Sequence, residues 1–447
     1  MAKSSSQFVC QECGASHSKW AGRCSNCGAW NSLVEEVSRS ADLSKSAYKG
    51  SILKTAEVGK ISASQKSTRL LSGVKDVDTV LGGGFVSGSV NLIAGQPGIG
   101  KSTLLMQLSA QLSKKYSVLY VSGEESLEQV SMRATRITPK EQSVMLASST
   151  STDDIAATML SGKFQVVVVD SVQTVSCSSV SSAPGSISQI TNSTYVLTQA
   201  AKQANVTLIL VGHVTKEGSI AGPKLMEHLV DVVLNLEGDR YGGFKVLRAV
   251  KNRYGSTSEV GIFDMTEDGL TPVGNPSAVL LEQRQIADGS VVLAAMEGTR
   301  PILVEVQALV NRTSFGYPKR AASGFDLNRL NLLAAVLTRR TKLDLSEFDV
   351  YVNIVGGLKI TEPAADLAVC MAIASAAKGL KLSQDAVVFG EVGLSGEVRH
   401  VPYIEKRIKE ADQLGFIKCI GPKTDKINKK LDSVTSLKEA LNNFLKT

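Results

Sequence analysis

Gly95-Gln96-Pro97-Gly98-Ile99-Gly100-Lys101-Ser102 has the spacing G-x-x-x-x-G-K-[ST], that of a loop that wraps a phosphate. Gly95, Gly98 and Gly100 let the backbone curl until successive N–H groups point at one anion. Lys101 then reaches the β- and γ-phosphates, and the Ser102 hydroxyl takes a place on Mg²⁺. The flanks agree with this reading. Val90-Asn91-Leu92-Ile93-Ala94 reads as a buried strand before the loop. Ser102 to Leu108 reads as the first turns of a helix, whose N-terminus favours negative charge. Gly95, Gln96, Pro97, Gly98, Ile99, Gly100, Lys101, Ser102 and Thr103 are therefore the expected nucleotide-binding residues, with ATP and Mg²⁺ as cofactors.

The chain has 447 residues, 43% hydrophobic and 20% charged. That is too long for one core and suggests two or three domains of an ordinary soluble protein. No apolar run is long enough to span a bilayer, and Met1-Ala2-Lys3-Ser4-Ser5 lacks the apolar core of an export signal. A cytoplasmic location and no membrane partner are expected. Forty-nine basic against 42 acidic residues give a net charge of +7, which permits nucleic acid as a partner without requiring it. Of seven cysteines, Cys177, Cys370 and Cys419 are scattered and read as small buried hydrophobes.

The other four cysteines sit in a head, residues 1–35. Cys10-x-x-Cys13-Gly14-Ala15 and Cys24-x-x-Cys27-Gly28-Ala29 are two near-identical knuckles ten residues apart. Four thiolates at this spacing suit Zn²⁺, and so small a head could barely fold without metal. Trp20 and Trp30 flank the second knuckle and are expected to pack the head's core rather than stack on a base. Residues 36–67, rich in Ser, Lys and Ala, read as a linker. From 68 to 275 short apolar runs alternate with helical patterns, as in Val118 to Val121, Val166 to Val169 and Thr207 to Val211. Such runs suit a mostly parallel sheet covered on both faces. Residues 285–447 begin again with strands and continue in further α/β alternation.

Nucleotide hydrolysis needs an acid for Mg²⁺ and a base for water. Asp170 emerges at the end of Val166 to Val169 and is the expected magnesium ligand with Ser102. Gly123-Glu124-Glu125 ends an earlier strand, expected one strand away from the loop. Glu124 is the first choice of base and Glu125 the second.

Leu81-Gly82-Gly83-Gly84-Phe85, the phosphate loop, Gly123-Glu124-Glu125 and Val169-Asp170-Ser171 follow in the order of RecA-type ATPases, which the chain resembles. The resemblance places His213 where such proteins carry a polar switch sensing the γ-phosphate. Lys251-Asn252-Arg253-Tyr254-Gly255 resembles the K-N-R-F/Y-G signature of bacterial RadA (Sms) proteins. With Lys101 and Glu124, Lys251 and Arg253 are the expected catalytic residues, and the resemblance implies that Lys251 and Arg253 reach the nucleotide of a neighbouring subunit. That requires an oligomer, expected to be a homohexameric ring. Gln173 to Ile187 and Lys216 to Lys224 are candidate DNA loops, with Lys216, Lys224 and Arg253 as the cations on DNA phosphates.

Residues from about 285 resemble the proteolytic domain of Lon at Val355-Gly356-Gly357, at Glu362 to Ala368 and at Gly390 to Val398. Lon's serine falls on Ala364 here, and an ungapped register puts Glu405 where Lon has its lysine, with Lys406 next to it. Proteolytic inactivity is expected. The fold class is thus α/β: a RecA-like ATPase core, an N-terminal four-Cys zinc finger and a C-terminal Lon-protease-like α+β domain. The resemblance implies a DNA-dependent ATPase and helicase on single-stranded and branched DNA, partnered by RecA recombinase, that promotes branch migration. An ATP-dependent Lon-type protease and a KaiC-like signalling ATPase are the alternatives; the missing serine argues against the first, and the single phosphate loop against the second.

Overall fold

Four consecutive valines, Val166 to Val169, offer no polar side to water, and the chain buries all four. In a computed structural model, residues 6–10, 15–37, 69–137, 143–213, 225–238, 243–314, 316–424 and 428–445 are described. The chain divides into two compact units, Met1–Lys66 and Ser67–Thr447.

In the first unit β1 (Ser6–Cys10) pairs antiparallel with β2 (Ser16–His17) and β3 (Leu33–Val37). Cys10, Cys24 and Leu33 form its small core, with Phe8 and Ala15 against them. Trp20 and Trp30 do not join it, contrary to the sequence reading: they are 59% and 71% exposed. The cysteines and Leu33 already fill the interior. Instead, the Arg23 guanidinium lies over the Trp30 ring, 5.7 Å from its centroid.

The larger unit opens with β4 (Arg69–Leu70), α1 (Lys75–Leu81) and β5 (Phe85–Val86). There follow β6 (Val90–Gly95), α2 (Lys101–Ser113), β7 (Val118–Ser122), α3 (Leu127–Ile137), β8 (Met145–Ser148), α4 (Thr152–Leu160) and β9 (Val166–Asp170). Next come α5 (Ile187–Ala204), β10 (Thr207–His213), α6 (Leu225–Leu229), β11 (Val232–Gly238), β12 (Lys245–Asn252), β13 (Val260–Thr266) and β14 (Gly269–Pro272). Nine strands form one sheet in the order β14-β13-β12-β11-β6-β10-β9-β7-β8. From β11 to β8 every neighbour is parallel; β12, β13 and β14 extend the edge antiparallel. Such a sheet binds ligands beyond the carboxyl ends of its parallel strands.

A second sheet follows α7 (Pro276–Leu281). Its elements are β15 (Ser290–Glu297), β16 (Arg300–Arg312), β17 (Arg320–Ser323), α8 (Leu327–Thr341), β18 (Phe348–Ile354), α9 (Asp366–Lys378) and β19 (Ala386–Val388). A small hairpin, β20 (Glu391–Val392) and β21 (Val398–Arg399), precedes α10 (Ile404–Gln413), β22 (Lys418–Pro422), β23 (Leu431–Val434) and α11 (Leu437–Phe444). The strand order is β17-β18-β16-β15-β19-β22-β23. Its core is continuous with Phe244, Val246, Val260 and Ile262, from β12, β13 and the residue before β12. The two sheets thus share apolar packing.

Candidate active site

The loop from Gly95 to Gly100 joins the carboxyl end of β6 to α2. A Cβ on Gly95 would lie 2.6 Å from the Leu236 carbonyl oxygen, so only glycine lets β11 approach. Gly100 takes φ 112° at the N-cap of α2 and gives no side-chain cap. Helices α4, α5, α8 and α11 are each capped by a Ser or Asp side chain. The first N–H groups of α2 are thus left for an anion. Lys101 Nζ is buried and donates to the carbonyls of Gly95 (2.8 Å) and Gln96 (3.0 Å). Burial lowers its pKa to about 8, partly offset by Asp170 and Glu124 nearby.

Asp170 ends β9 and accepts a 2.6 Å hydrogen bond from the Tyr120 hydroxyl. Burial first, then Asp170, pushes that phenol well above its ordinary pKa. The Asp170–Ser171 peptide bond is cis. Ser171 Oγ donates to Glu124 Oε1 at 2.7 Å, which brings Glu124 beside the magnesium candidate. Glu125 is engaged elsewhere, 2.8 Å from Arg133 Nη1. One expectation changes: β10 and β9 lie between β6 and β7, so Glu124 is not one strand from the loop. It reaches the site through the turn after β7, where Gly123 N donates to the Asp170 carbonyl. His213 ends β10 with Gly95 as its register partner, level with the start of the loop. Sequence reading missed Tyr120 and Arg133; one lay inside an apolar strand run and the other in a helix with no motif.

The residues Lys251 to Gly255 lie elsewhere. Because β12 runs antiparallel to β11, Asn252 is level with Val232, and Val232 is level with Asn91 near the start of β6. At about 3.3 Å per residue, roughly 13 Å of strand separates that level from Gly95. The motif therefore occupies the edge opposite the chain's own phosphate loop. Lys251 Nζ donates to the carbonyls of Glu227 (2.5 Å) and Val230 (2.7 Å), at the end of α6. Burial, then Arg253, lowers its pKa. The Arg253 side chain is 57% exposed and reaches buried Asp231 at 3.4 Å. Lys216 and Lys224 lie outside the described residues, as does Cys13. The Gln173 to Ile187 segment is organised by Gln189, whose amide donates to the carbonyls of Val180 (2.8 Å) and Ser182 (3.0 Å).

In the head, Cys10 N donates to Ala15 O and Cys24 N to Ala29 O, the same closure in each knuckle. The sulfurs of Cys10, Cys24 and Cys27 lie within 4.8 Å of one another. Tetrahedral thiolates on zinc stand about 3.8 Å apart, so the donor set fits that ion.

Residues 65–219 match the family described as AAA domain, 8–35 the rubredoxin metal binding domain, and 331–425 subunit ChlI of Mg-chelatase. DNA repair protein RadA of Bacillus subtilis (strain 168) is 49% identical over 427 residues, 94% of this chain and 93% of that protein. The chain belongs to the RadA family. The Pseudomonas aeruginosa RadA is 45% identical and covers 99% of both chains. Among solved structures, RadB recombinase is similar over 46% of this chain and 99% of its own, at 24% identity and a TM-score of 0.37. The family and the P-loop fold make the chain an ATPase with a zinc-ribbon head and a Lon-like C-terminal domain.

In that C-terminal domain of this RadA-family chain, Ala364 is buried at the turn before α9, and its carbonyl accepts Gly390 N at 2.8 Å. Arg407 is fully buried and pairs with Glu362 at 2.6 Å. Arg329 pairs with buried Asp366. Lys406 points away, donating to Thr299 O at 3.1 Å and lying over the Tyr403 ring. Ser395 is exposed in the β20–β21 turn.

Proposed function

We propose that this chain is a DNA-dependent ATPase that works as a ring of six copies. It translocates on single-stranded DNA and drives branch migration of recombination intermediates alongside RecA recombinase, in the cytoplasm. Its parts are a zinc finger (1–35), a linker (36–67), a RecA-like motor (68–275) and a Lon-like domain (285–447). ATP sits on Gly95 to Thr103, with Mg²⁺ on Ser102 and Asp170. Glu124 orients the attacking water, the better base because Glu125 is held by Arg133. His213 reports the γ-phosphate. Arg253 and Lys251 reach the neighbour's nucleotide, and Lys216, Lys224 and Arg253 serve DNA phosphates. Cys10, Cys13, Cys24 and Cys27 hold Zn²⁺.

One observation carries the ring: the Lys251–Gly255 motif lies about four residues of strand away from its own loop, so its cations do not meet that loop's phosphates and are left for another copy's nucleotide or for DNA. Peptide hydrolysis is not part of the function. The nucleophile position is a buried methyl group, and the carboxylates two residues either side of it, Glu362 and Asp366, are paired with Arg407 and Arg329.

The test mixes two inactive variants, Lys101→Ala and Arg253→Ala. Trans action predicts that mixing restores ATP turnover, since some interfaces then join an intact loop to an intact arginine. Single-stranded DNA should raise the restored rate, and the wild type should displace a strand from a forked duplex. No restoration on mixing, or a rate indifferent to oligonucleotide, overturns the reading.

A further inference from the structure

The turn joining β15 to β16, Glu297-Gly298-Thr299-Arg300, belongs to the Lon-like domain, yet every one of its residues meets the motor. Glu297 is 4% exposed, and its carboxylate pairs with Arg248 of β12 at 2.5 Å. Thr299 N donates to Ser258 O at 2.8 Å. The Thr299 hydroxyl donates to the Glu259 carboxylate at 2.9 Å. Arg300 reaches Asp76 of α1 at 3.4 Å and donates to the carbonyls of Val273 (3.2 Å) and Gly274 (2.8 Å). Gly298 has φ 59°, and a Cβ there would lie 1.9 Å from Ser258 O, so the turn and the motor loop touch backbone to backbone. Lys406 of α10 holds the turn from behind through Thr299 O.

The motor segment so gripped, 253–259, is the continuation of the Lys251–Gly255 motif. Its other end is tied to α1: Asn252 Nδ2 donates to Leu81 O at 3.3 Å, and Gly255 Cα lies 3.3 Å from the Cβ position of Gly82. Arg69 Nη2 holds the Tyr254 carbonyl at 2.8 Å. The half nearer Arg253 is thus fixed by the motor, and the half nearer β13 by the Lon-like domain. Arg253 itself keeps an exposed side chain on a backbone pinned from both sides.

We propose that the 297–300 turn is a positioning element for ATP hydrolysis: it sets the 253–259 loop so that Arg253 meets the neighbouring copy's nucleotide at the right height. This rests on the trans reading of Arg253 above. It gives the inactive Lon-like domain a task in the chemistry, acting through the loop and not on the nucleotide. A misplacement of about 1 Å in such a group costs up to about a hundred-fold in rate, so a rigid support matters.

The experiment uses the full chain with saturating single-stranded DNA. Thr299→Val removes the hydroxyl at nearly constant volume, and Thr299→Ser keeps it. Thr299→Val should lower kcat about ten-fold, leave KM for ATP and ring mass unchanged, and be restored by Thr299→Ser. In an Arg253→Ala background Thr299→Val should cost nothing further. A wild-type kcat for Thr299→Val beside an impaired Arg253→Ala overturns the proposal, as does a full additional loss in the double variant. A wild-type rate for Arg253→Ala would instead sink the trans reading itself, and the proposal with it. Gly298→Val, read the same way, is the harsher second variant.

Discussion

The motor's nucleotide site and the centre of the Lon-like domain use similar parts and handle charge in opposite ways. Each brings a buried cation together with carboxylates carried by neighbouring strands, turns and helices. In the motor, Lys101 is held by two carbonyls, Asp170 by a phenol and Glu124 by a serine hydroxyl. A phosphate or Mg²⁺ can displace or join the neutral partners of Lys101 and Asp170 at little cost. In the Lon-like domain, Arg407 is locked to Glu362 and Arg329 to Asp366. Buried ion pairs of that kind neutralise each other and offer nothing to a substrate. The motor site leaves Lys101 and Asp170 with partners a ligand can replace, while the Lon-like centre closes its charges into its own structure.

The comparison breaks first at Glu124. If poised carboxylates do the chemistry, Glu124→Gln should lower kcat roughly 10²- to 10³-fold while nucleotide binding persists. Glu125→Gln should cost only a few-fold, about what loss of a half-exposed ion pair with Arg133 can do. Turnover with DNA and binding of a labelled nucleotide separate the two. Equal losses would show that the hydrogen bond from Ser171 does not mark the base.

The proposed retirement of the Lon-like centre is tested by stability. Glu362→Leu leaves the buried Arg407 guanidinium with the carbonyls of Ala294 and Pro402 and the Phe389 ring but no carboxylate, and leaves Met296 N without its Glu362 acceptor. It should cost about 3 kcal/mol, seen as a lower Tm in calorimetry. Glu362→Leu with Arg407→Met should recover part of that, the Met296 N–H still lacking its acceptor. Casein hydrolysis should be absent from all of them, and its appearance in any would refute retirement.

Much of this was legible in sequence. The phosphate loop, Asp170 and the paired knuckles carry spacings that a helix N-terminus or a metal imposes, and the valine run of β9 declares a strand buried on both faces. What was not legible depends on sheet order. Nothing in Gly123-Glu124-Glu125 tells that two strands intervene before β6, and nothing in Lys251 to Gly255 tells that an antiparallel β12 carries it to the far edge. Trp20 and Trp30 misled because large aromatic residues usually fill small cores; here cysteines and one leucine filled it first. The 297–300 turn has no motif, since its partners Arg248, Ser258 and Glu259 come together only when two sheets pack.

The smallest effect is also the most direct measure of a poised charge. In the free chain burial brings Lys101 down to about 8. At pH 8.5 such a group is about three-quarters neutral. Phosphate oxygens arriving at Nζ favour the ammonium form, so its pKa must rise on binding. Binding at pH 8.5 should therefore take up as much as about three-quarters of a proton, read by calorimetry in buffers of different ionisation heat. Below pH 7 Lys101 is already charged in both states and its uptake should fade. Lys101→Arg keeps the charge but removes the titration, and should abolish the uptake at pH 8.5 even where nucleotide still binds.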